Sequence, residues 1–205
     1  MHHVIYVPGL GDQKLHGQRL VVKLWRVFGV RGHLVSMHWA DKKPFEAKLK
    51  RLLARIDELA ADPYAQVSLV ASSAGASAVL LALAARPQQV GAVAIICGKV
   101  HRPEIVNPAY YRHNPAFKQA LAELQVVLPK LEPTERYRIL SLHPLRDQIV
   151  PPADTVIRGA RNRLVLSVGH ALSIALCLTL YAPVIMRFIK THASPPQPEG
   201  KSKLL

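Results

Sequence analysis

Residues 67–78 read VSLVASSAGASA, an apolar run followed by a cluster of small residues. Its first part is a short apolar run of the kind that forms a buried strand, predicted here as Val67–Ala71. The run passes directly into small residues, and Ala74–Ala85, rich in Ala and Leu, is predicted as a helix. A buried strand that turns at once into a helix is typical of a βα unit in a parallel sheet.

The same alternation of short apolar runs and longer helical patterns continues on both sides of this unit. The predicted strands are Val4–Pro8, Leu34–His38, Val67–Ala71, Ala92–Cys97, Arg138–Leu142 and Arg163–Ser167. The predicted helices are Gln18–Phe28, Pro44–Ala61, Ala74–Ala85, Pro115–Leu128, Ala153–Ile157 and Ala171–Lys190. Strands separated by helices indicate right-handed crossovers, so we expect an α/β fold: a mostly parallel six-stranded sheet with helices on both faces.

The composition fits one domain, predicted over 1–192 and followed by a disordered tail at 193–205. Lys and Arg total 27 against 13 Asp and Glu, a formal net charge of +14. These basic residues are dispersed and lack interleaved aromatic residues, so no specific nucleic-acid partner is expected. Contact with an anionic membrane surface is possible but less favoured than a solvated basic surface.

The two cysteines, Cys97 and Cys177, each lie inside an apolar segment, which argues against a disulfide framework and suits a reducing compartment. The start of the chain lacks the pattern of a signal peptide, so we expect a cytoplasmic protein. Residues 164–186 contain no Asp, Glu, Lys or Arg and are long enough to span a bilayer. Because Gly169, His170 and Pro183 interrupt this segment, a buried strand, a turn and a core helix are the favoured interpretation.

Residues 71–75, ASSAG, match the nucleophile-elbow pattern G-x-S-x-G with Ala71 in place of the first glycine. The nucleophilic serine of such an elbow sits on a sharp turn, so the residues two before and two after it must be small. The turn exposes the hydroxyl of Ser73 and places the N–H of Ala74 at a helix N-terminus, where it can bind an oxyanion. Ser72 is a poorer candidate, because its frame would need Ala74 where a glycine belongs. A close helix–strand contact would explain the same small residues without any chemistry.

Two more candidate residues follow the ends of predicted strands. Asp147 comes after Arg138–Leu142, and His170 comes after Arg163–Ser167. Taken singly, Asp147 could merely cap a turn, and His170 is one of ten histidines. However, the order Ser73, Asp147, His170 is the one expected for a serine–histidine–acid triad on an open α/β sheet. All three would then lie at the carboxyl edge, where such sheets bind ligands.

With these motifs the chain resembles the α/β-hydrolase family over nearly its whole length. Residues 147–151, DQIVP, are similar to the acid-loop pattern D-x-x-V-P of that family, and residues 3–12, HVIYVPGLGD, resemble its first core strand and oxyanion loop. The sequence departs from the family pattern at Pro8, Ala71 and Pro144. The resemblance implies a three-layer α/β sandwich in which the N–H of Leu10 joins that of Ala74 in an oxyanion hole.

The sequence therefore predicts a serine hydrolase of the carboxylesterase type that acts on small acyl esters and uses no metal or organic cofactor. A thioesterase or lipid-ester hydrolase is the nearest alternative. A non-catalytic protein of the same fold that binds an anionic partner or a membrane surface also stays open. Residues 100–135 are the only stretch with room for a small lid, and a connecting loop followed by an ordinary helix would account for them equally well. The sequence does not indicate an oligomeric state.

Overall fold

The computed structural model describes residues 1–193, which form one six-stranded parallel sheet. The strands are β1 (His2–Val7), β2 (Arg31–Leu34), β3 (Gln66–Ser72), β4 (Val90–Ile96), β5 (Ile139–Arg146) and β6 (Arg161–Val168). Their spatial order is β2-β1-β3-β4-β5-β6, and every neighbouring pair is parallel. Apart from Ala193, the predicted disordered tail lies outside the described residues.

Helices cover both faces of the sheet. They are α1 (His16–Leu24), α2 (Phe45–Ala60), α3 (Gly75–Ala85), α4 (Pro108–His113), α5 (Pro115–Val127), α6 (Pro133–Tyr137), α7 (His170–Leu178) and α8 (Ala182–His192). The helices α2, α3 and α5 bury their apolar side chains against one face. The other face is covered by the end of α1, the turn after it, α7 and α8.

Alternation along the strands supplies a core to each face. In β1, Ile5 and Val7 belong to the core under α2, α3 and α5, whereas Val4 and Tyr6 belong to the core on the opposite face. Because all four side chains are fully buried, the strand reads as a continuous apolar run, as expected for a parallel sheet covered on both sides. The predicted α/β sandwich with six strands and three layers is confirmed.

The predicted second strand, Leu34–His38, is shifted, because β2 ends at Leu34. Beyond it, Ser36 Oγ and the backbone N–H of His38 both donate to Asp12 Oδ2, at 2.7 and 2.6 Å. The backbone N–H of His38 therefore donates to a buried carboxylate instead of to a neighbouring strand.

The predicted final helix, Ala171–Lys190, is two helices whose axes differ by 62°. Pro183 lies in the first turn of α8, where its missing N–H costs nothing, but it could not continue α7. The predicted helix at 153–157 is only a single turn at Pro152–Asp154, and the short helices α4 and α6 were not predicted.

Within residues 1–193, no single helix combines the length and the apolar character needed to cross a membrane. The bent pair α7 and α8 passes that test only when the two helices are counted together.

Candidate active site

Ser73 lies on the sharp turn between β3 and α3. Its φ of 51° is in the left-handed region, which is costly for a residue with a Cβ. The backbone N–H of Ser73 donates to the carbonyl of Ile96 at the end of β4, at 2.9 Å. The turn is thus tied to the neighbouring strand, and the surrounding structure holds a backbone conformation that serine rarely adopts alone.

Two close approaches of the backbone explain the small residues around this turn. A Cβ on Gly75 would collide with the carbonyl oxygen of Val7 in β1. A Cβ on Gly9, in the loop after β1, would lie 2.8 Å from the Cβ of Ser73. Glycine at position 75 lets the start of α3 lie against β1, and glycine at position 9 lets the loop after β1 approach Ser73.

The two adjacent serines have different surroundings. Ser72 is buried, and its hydroxyl lies 2.8 Å from the phenol oxygen of Tyr6. Burial raises the pKa of Tyr6 to about 12, against the opposing effect of this hydrogen bond. Ser73 is partly exposed and lines a cavity, so the choice of Ser73 over Ser72 agrees with its accessibility.

Asp147 and His170 are joined by a hydrogen bond of 2.7 Å between Asp147 Oδ2 and His170 Nδ1. The other carboxylate oxygen, Oδ1, accepts the backbone N–H groups of Ile149 and Val150, at 2.8 and 2.9 Å. Burial by itself would raise the pKa of Asp147, but the hydrogen bonds from His170 and the two N–H groups outweigh it and lower the pKa. The acid is therefore ionised at neutral pH and oriented toward the imidazole.

The ends of β5 and β6 bring this pair together. The N–H of Gly169 donates to the carbonyl of Arg146 at 2.8 Å, so the residue before His170 is fixed beside the residue before Asp147. Gly169 has a φ of 92°, which only glycine adopts easily. His170 then begins α7, with its side chain 12% exposed while that of Asp147 is fully buried.

A cavity of about 400 Å³ opens beside Ser73. Most of its lining is apolar and includes Leu10, Phe117, Ile149 and Val150. Neither Asp147 nor His170, the predicted partners of Ser73, lines the cavity. Gln148, the residue after Asp147, does line it. Within residues 1–193 the hydroxyl of Ser73 makes no hydrogen bond, so a bond between Ser73 and His170 is not formed in this structure.

The two backbone groups predicted to bind an oxyanion also adjoin Ser73. Leu10 and Ala74 both line the cavity, and their N–H groups have no acceptor among the described residues. The loop that carries Leu10 is held from behind, because the indole N–H of Trp39 donates to the carbonyl of Pro8 at 3.3 Å. Both N–H groups are therefore unpaired within the part of the chain that the structure describes.

A buried charge cluster next to the cavity was not predicted. Asp154 is fully buried and accepts hydrogen bonds from Lys99, which is 4% exposed, and from Arg102. The N–H of Lys99 also donates to the carbonyl of Ser73 at 3.3 Å. The cluster thus connects the loop after Asp147 with the loop after β4 and the Ser73 turn. No local pattern signals this cluster, because 55 residues separate Lys99 from Asp154.

One group of side chains has the atoms to hold a metal ion: Cys97, Asp147 and His170 offer ligand atoms that lie within 4.8 Å of one another. Burial raises the pKa of the Cys97 thiol, with smaller contributions from Cys177 and Asp147. A metal would need the thiolate and would also compete for the hydrogen bond between Asp147 and His170. Both cysteines are buried and free, as the sequence predicted.

Comparisons with known proteins agree with this architecture. No protein-family model matches the sequence, and no curated protein matches it significantly. Among solved structures, the esterase Est1E from Butyrivibrio proteoclasticus is 16% identical, with a TM-score of 0.68 over 93% of this chain and 87% of that one. The monoacylglycerol lipase from Paleococcus ferrophilus is 15% identical, with a TM-score of 0.61 over 93% and 94% of the two chains. The ydeN gene product from B. subtilis is 18% identical, with a TM-score of 0.63 over 93% of this chain and all of that one.

Each of these likenesses extends over 93% of this chain. The protein therefore has the α/β-hydrolase fold.

Proposed function

We propose that the protein is a serine hydrolase that cleaves acyl esters, with Ser73 as the nucleophile, His170 as the general base and Asp147 as the acid that orients it. The observation that carries this proposal is the 2.7 Å hydrogen bond between Asp147 and His170, formed at the same edge of the sheet as a serine in left-handed backbone geometry. Strained backbone of this kind concentrates at functional sites.

In the proposed reaction Ser73 Oγ attacks the ester carbonyl while His170 Nε2 accepts its proton. The imidazolium is stabilised by Asp147 and then gives the proton to the leaving alcohol. The N–H groups of Leu10 and Ala74 bind the tetrahedral oxyanion, and water repeats the sequence on the acyl-enzyme. The bond between Ser73 and His170 would form as substrate enters, since catalytic hydrogen bonds in empty sites are often long.

The cavity supports a small acyl ester or thioester as the substrate. Its lining is mostly apolar, and its volume of about 400 Å³ falls within the range for small-molecule sites. Parallel assays with a p-nitrophenyl ester and the matching thioester would rank the two substrate classes.

Labelling with a fluorophosphonate probe tests the nucleophile. We expect Ser73→Ala to abolish labelling and to lower ester hydrolysis by at least about 10⁴-fold, because no other group can form the acyl-enzyme. The matched control is Ser72→Ala, one residue away with its hydroxyl bonded to Tyr6, which should keep labelling. Labelling that persists in Ser73→Ala would mean that another residue reacts with the probe and would contradict the proposal. Wild-type protein that never labels would also contradict it and would favour a non-catalytic protein of this fold.

A further inference from the structure

A second cavity lies far from Ser73, between the edge strand β6 and the helix α8. Its volume is about 680 Å³, larger than that of the cavity beside Ser73. In the ladder Arg161 pairs with Leu140, the second residue of β5, so this cavity lies toward the amino ends of the strands. At about 3.3 Å per residue, roughly 17 Å of strand separates Arg163 from Val168, the end of β6, which lies two residues before His170.

Three guanidinium groups line this cavity. Arg161 and Arg163 project from the same face of β6, since alternate residues of a strand point the same way, and Arg187 projects from α8. No aspartate or glutamate from residues 1–193 is among the lining residues. The lining also includes apolar residues, among them Leu140 and Phe188.

The side chains of these arginines have no ion pair and no hydrogen bond within the part of the chain that the structure describes. Other arginines of this protein do have partners: Arg86 binds Asp57, and Arg136 and Arg138 donate to backbone carbonyls. Three positive charges that share one cavity without a carboxylate repel one another, and an anion between them would remove that repulsion.

We propose that this cavity binds the phosphate group of a ligand through Arg161, Arg163 and Arg187. A guanidinium is planar and presents two parallel N–H donors, which match two phosphate oxygens. Thr191 is also among the lining residues, and the apolar residues Leu140 and Phe188 suit an organic group attached to the phosphate. The net charge of +14 attracts such an anion from a distance. The proposal is independent of the chemistry at Ser73.

The test uses the full chain and two probes, phenyl phosphate for a free phosphate ester and phosphatidylcholine vesicles containing phosphatidic acid for a lipid headgroup. The cavity variant replaces all three arginines of this second cavity: Arg161→Gln, Arg163→Gln and Arg187→Gln. The matched control removes three exposed charges elsewhere: Arg19→Gln, Lys50→Gln and Lys118→Gln. All six side chains are exposed, so both variants should fold, which a thermal unfolding scan checks.

Calorimetric titration should show that phenyl phosphate binds the wild-type protein. Relative to wild type, we expect the affinity to fall at least about tenfold in the cavity variant and less than about twofold in the control. If the protein binds only the vesicles that contain phosphatidic acid, and this binding is lost in the cavity variant and kept in the control, the proposal is also supported. The source of the phosphate is then a lipid. Equal weakening in both variants would show that only net charge matters and would overturn the proposal. Failure of the wild-type protein to bind either probe would overturn it as well.

Discussion

The Ser73 turn and the Asp147–His170 pair occupy the same edge of the sheet, but different forces hold them. The Ser73 turn depends on backbone shape: its φ is 51°, and Gly9 and Gly75 let neighbouring segments approach closely. The hydroxyl itself has no hydrogen-bond partner among residues 1–193. The Asp147–His170 pair depends on side-chain hydrogen bonds and on a carboxylate whose pKa they lower.

This difference predicts which changes should disrupt each region. A turn fixed by packing is sensitive to the addition of a single methyl group and insensitive to pH. A pair fixed by charge-assisted hydrogen bonds tolerates a change of shape but depends on its protonation state. The cluster of Asp154, Lys99 and Arg102 connects the two regions, so its loss should affect both.

Of the substitutions that compare the two regions, Asp147→Asn should have the largest effect. Asparagine keeps an oxygen that can accept the N–H groups of Ile149 and Val150, but it no longer stabilises an imidazolium on His170. We expect kcat for a chromogenic ester to fall about 10³-fold or more, with little change in the position of the loop. Asp57→Asn, which removes an exposed carboxylate paired with Arg86, should change kcat less than twofold. Equal activity of Asp147→Asn and wild type would remove Asp147 from the proposed mechanism.

The connecting cluster should give the largest effect on stability. Asp154→Asn leaves the buried ammonium of Lys99 without a counter-charge, which costs about 3–5 kcal/mol of unfolding free energy in comparable buried pairs. The double variant Asp154→Leu with Lys99→Met should recover most of this loss, because it removes both charges. Urea unfolding measures both values. A loss below about 1 kcal/mol in the single variant would mean that the cluster behaves like a surface pair.

A smaller loss of stability is expected for Gly75→Ala. The added Cβ meets the carbonyl oxygen of Val7, and neither the strand nor the helix can move away cheaply, so we expect a loss of about 1–3 kcal/mol. Gly17→Ala is the matched control, since its Cβ would meet nothing within 4 Å, and the change in α1 should stabilise by about 0.5 kcal/mol. If both alanines stabilise the protein, the elbow is not fixed by close packing.

The smallest effect concerns pH. The pKa of Asp147 is lower in the folded protein than its ordinary value, so its contribution to stability is fully present above that ordinary value and is lost as pH falls through the folded pKa. The difference in unfolding free energy between wild type and Asp147→Asn should therefore shrink below about pH 4. Urea unfolding at a series of pH values measures it, and Gly75→Ala should keep a constant difference from wild type over the same range.

Local patterns were sufficient for the parts of the fold that local forces decide. The strands around β3 and the elbow at Ser73 could be predicted, because buried parallel strands are apolar and the turn demands small residues. The end of β2 could not be predicted, because it depends on hydrogen bonds that Ser36 and His38 donate to Asp12, which lies in the loop after β1. The cluster of Lys99 and Asp154 was not predicted for the same reason, since only the folded chain brings the two residues together. The catalytic roles of Ser73, Asp147 and His170 stay predictions.

The position of β1 between β2 and β3 has a consequence for how the chain reaches this structure. β1 precedes the other described strands in the chain, and its partner β3, Gln66–Ser72, follows about 60 residues later. Until β3 is synthesised, one edge of β1 has no partner strand, and only the intervening helices can cover its four apolar side chains. Parallel sheets pay loop-closure entropy before such pairings form, which slows folding and favours aggregation. An early docking of α1 and α2 on the two faces of β1 would shield this segment during synthesis on the ribosome.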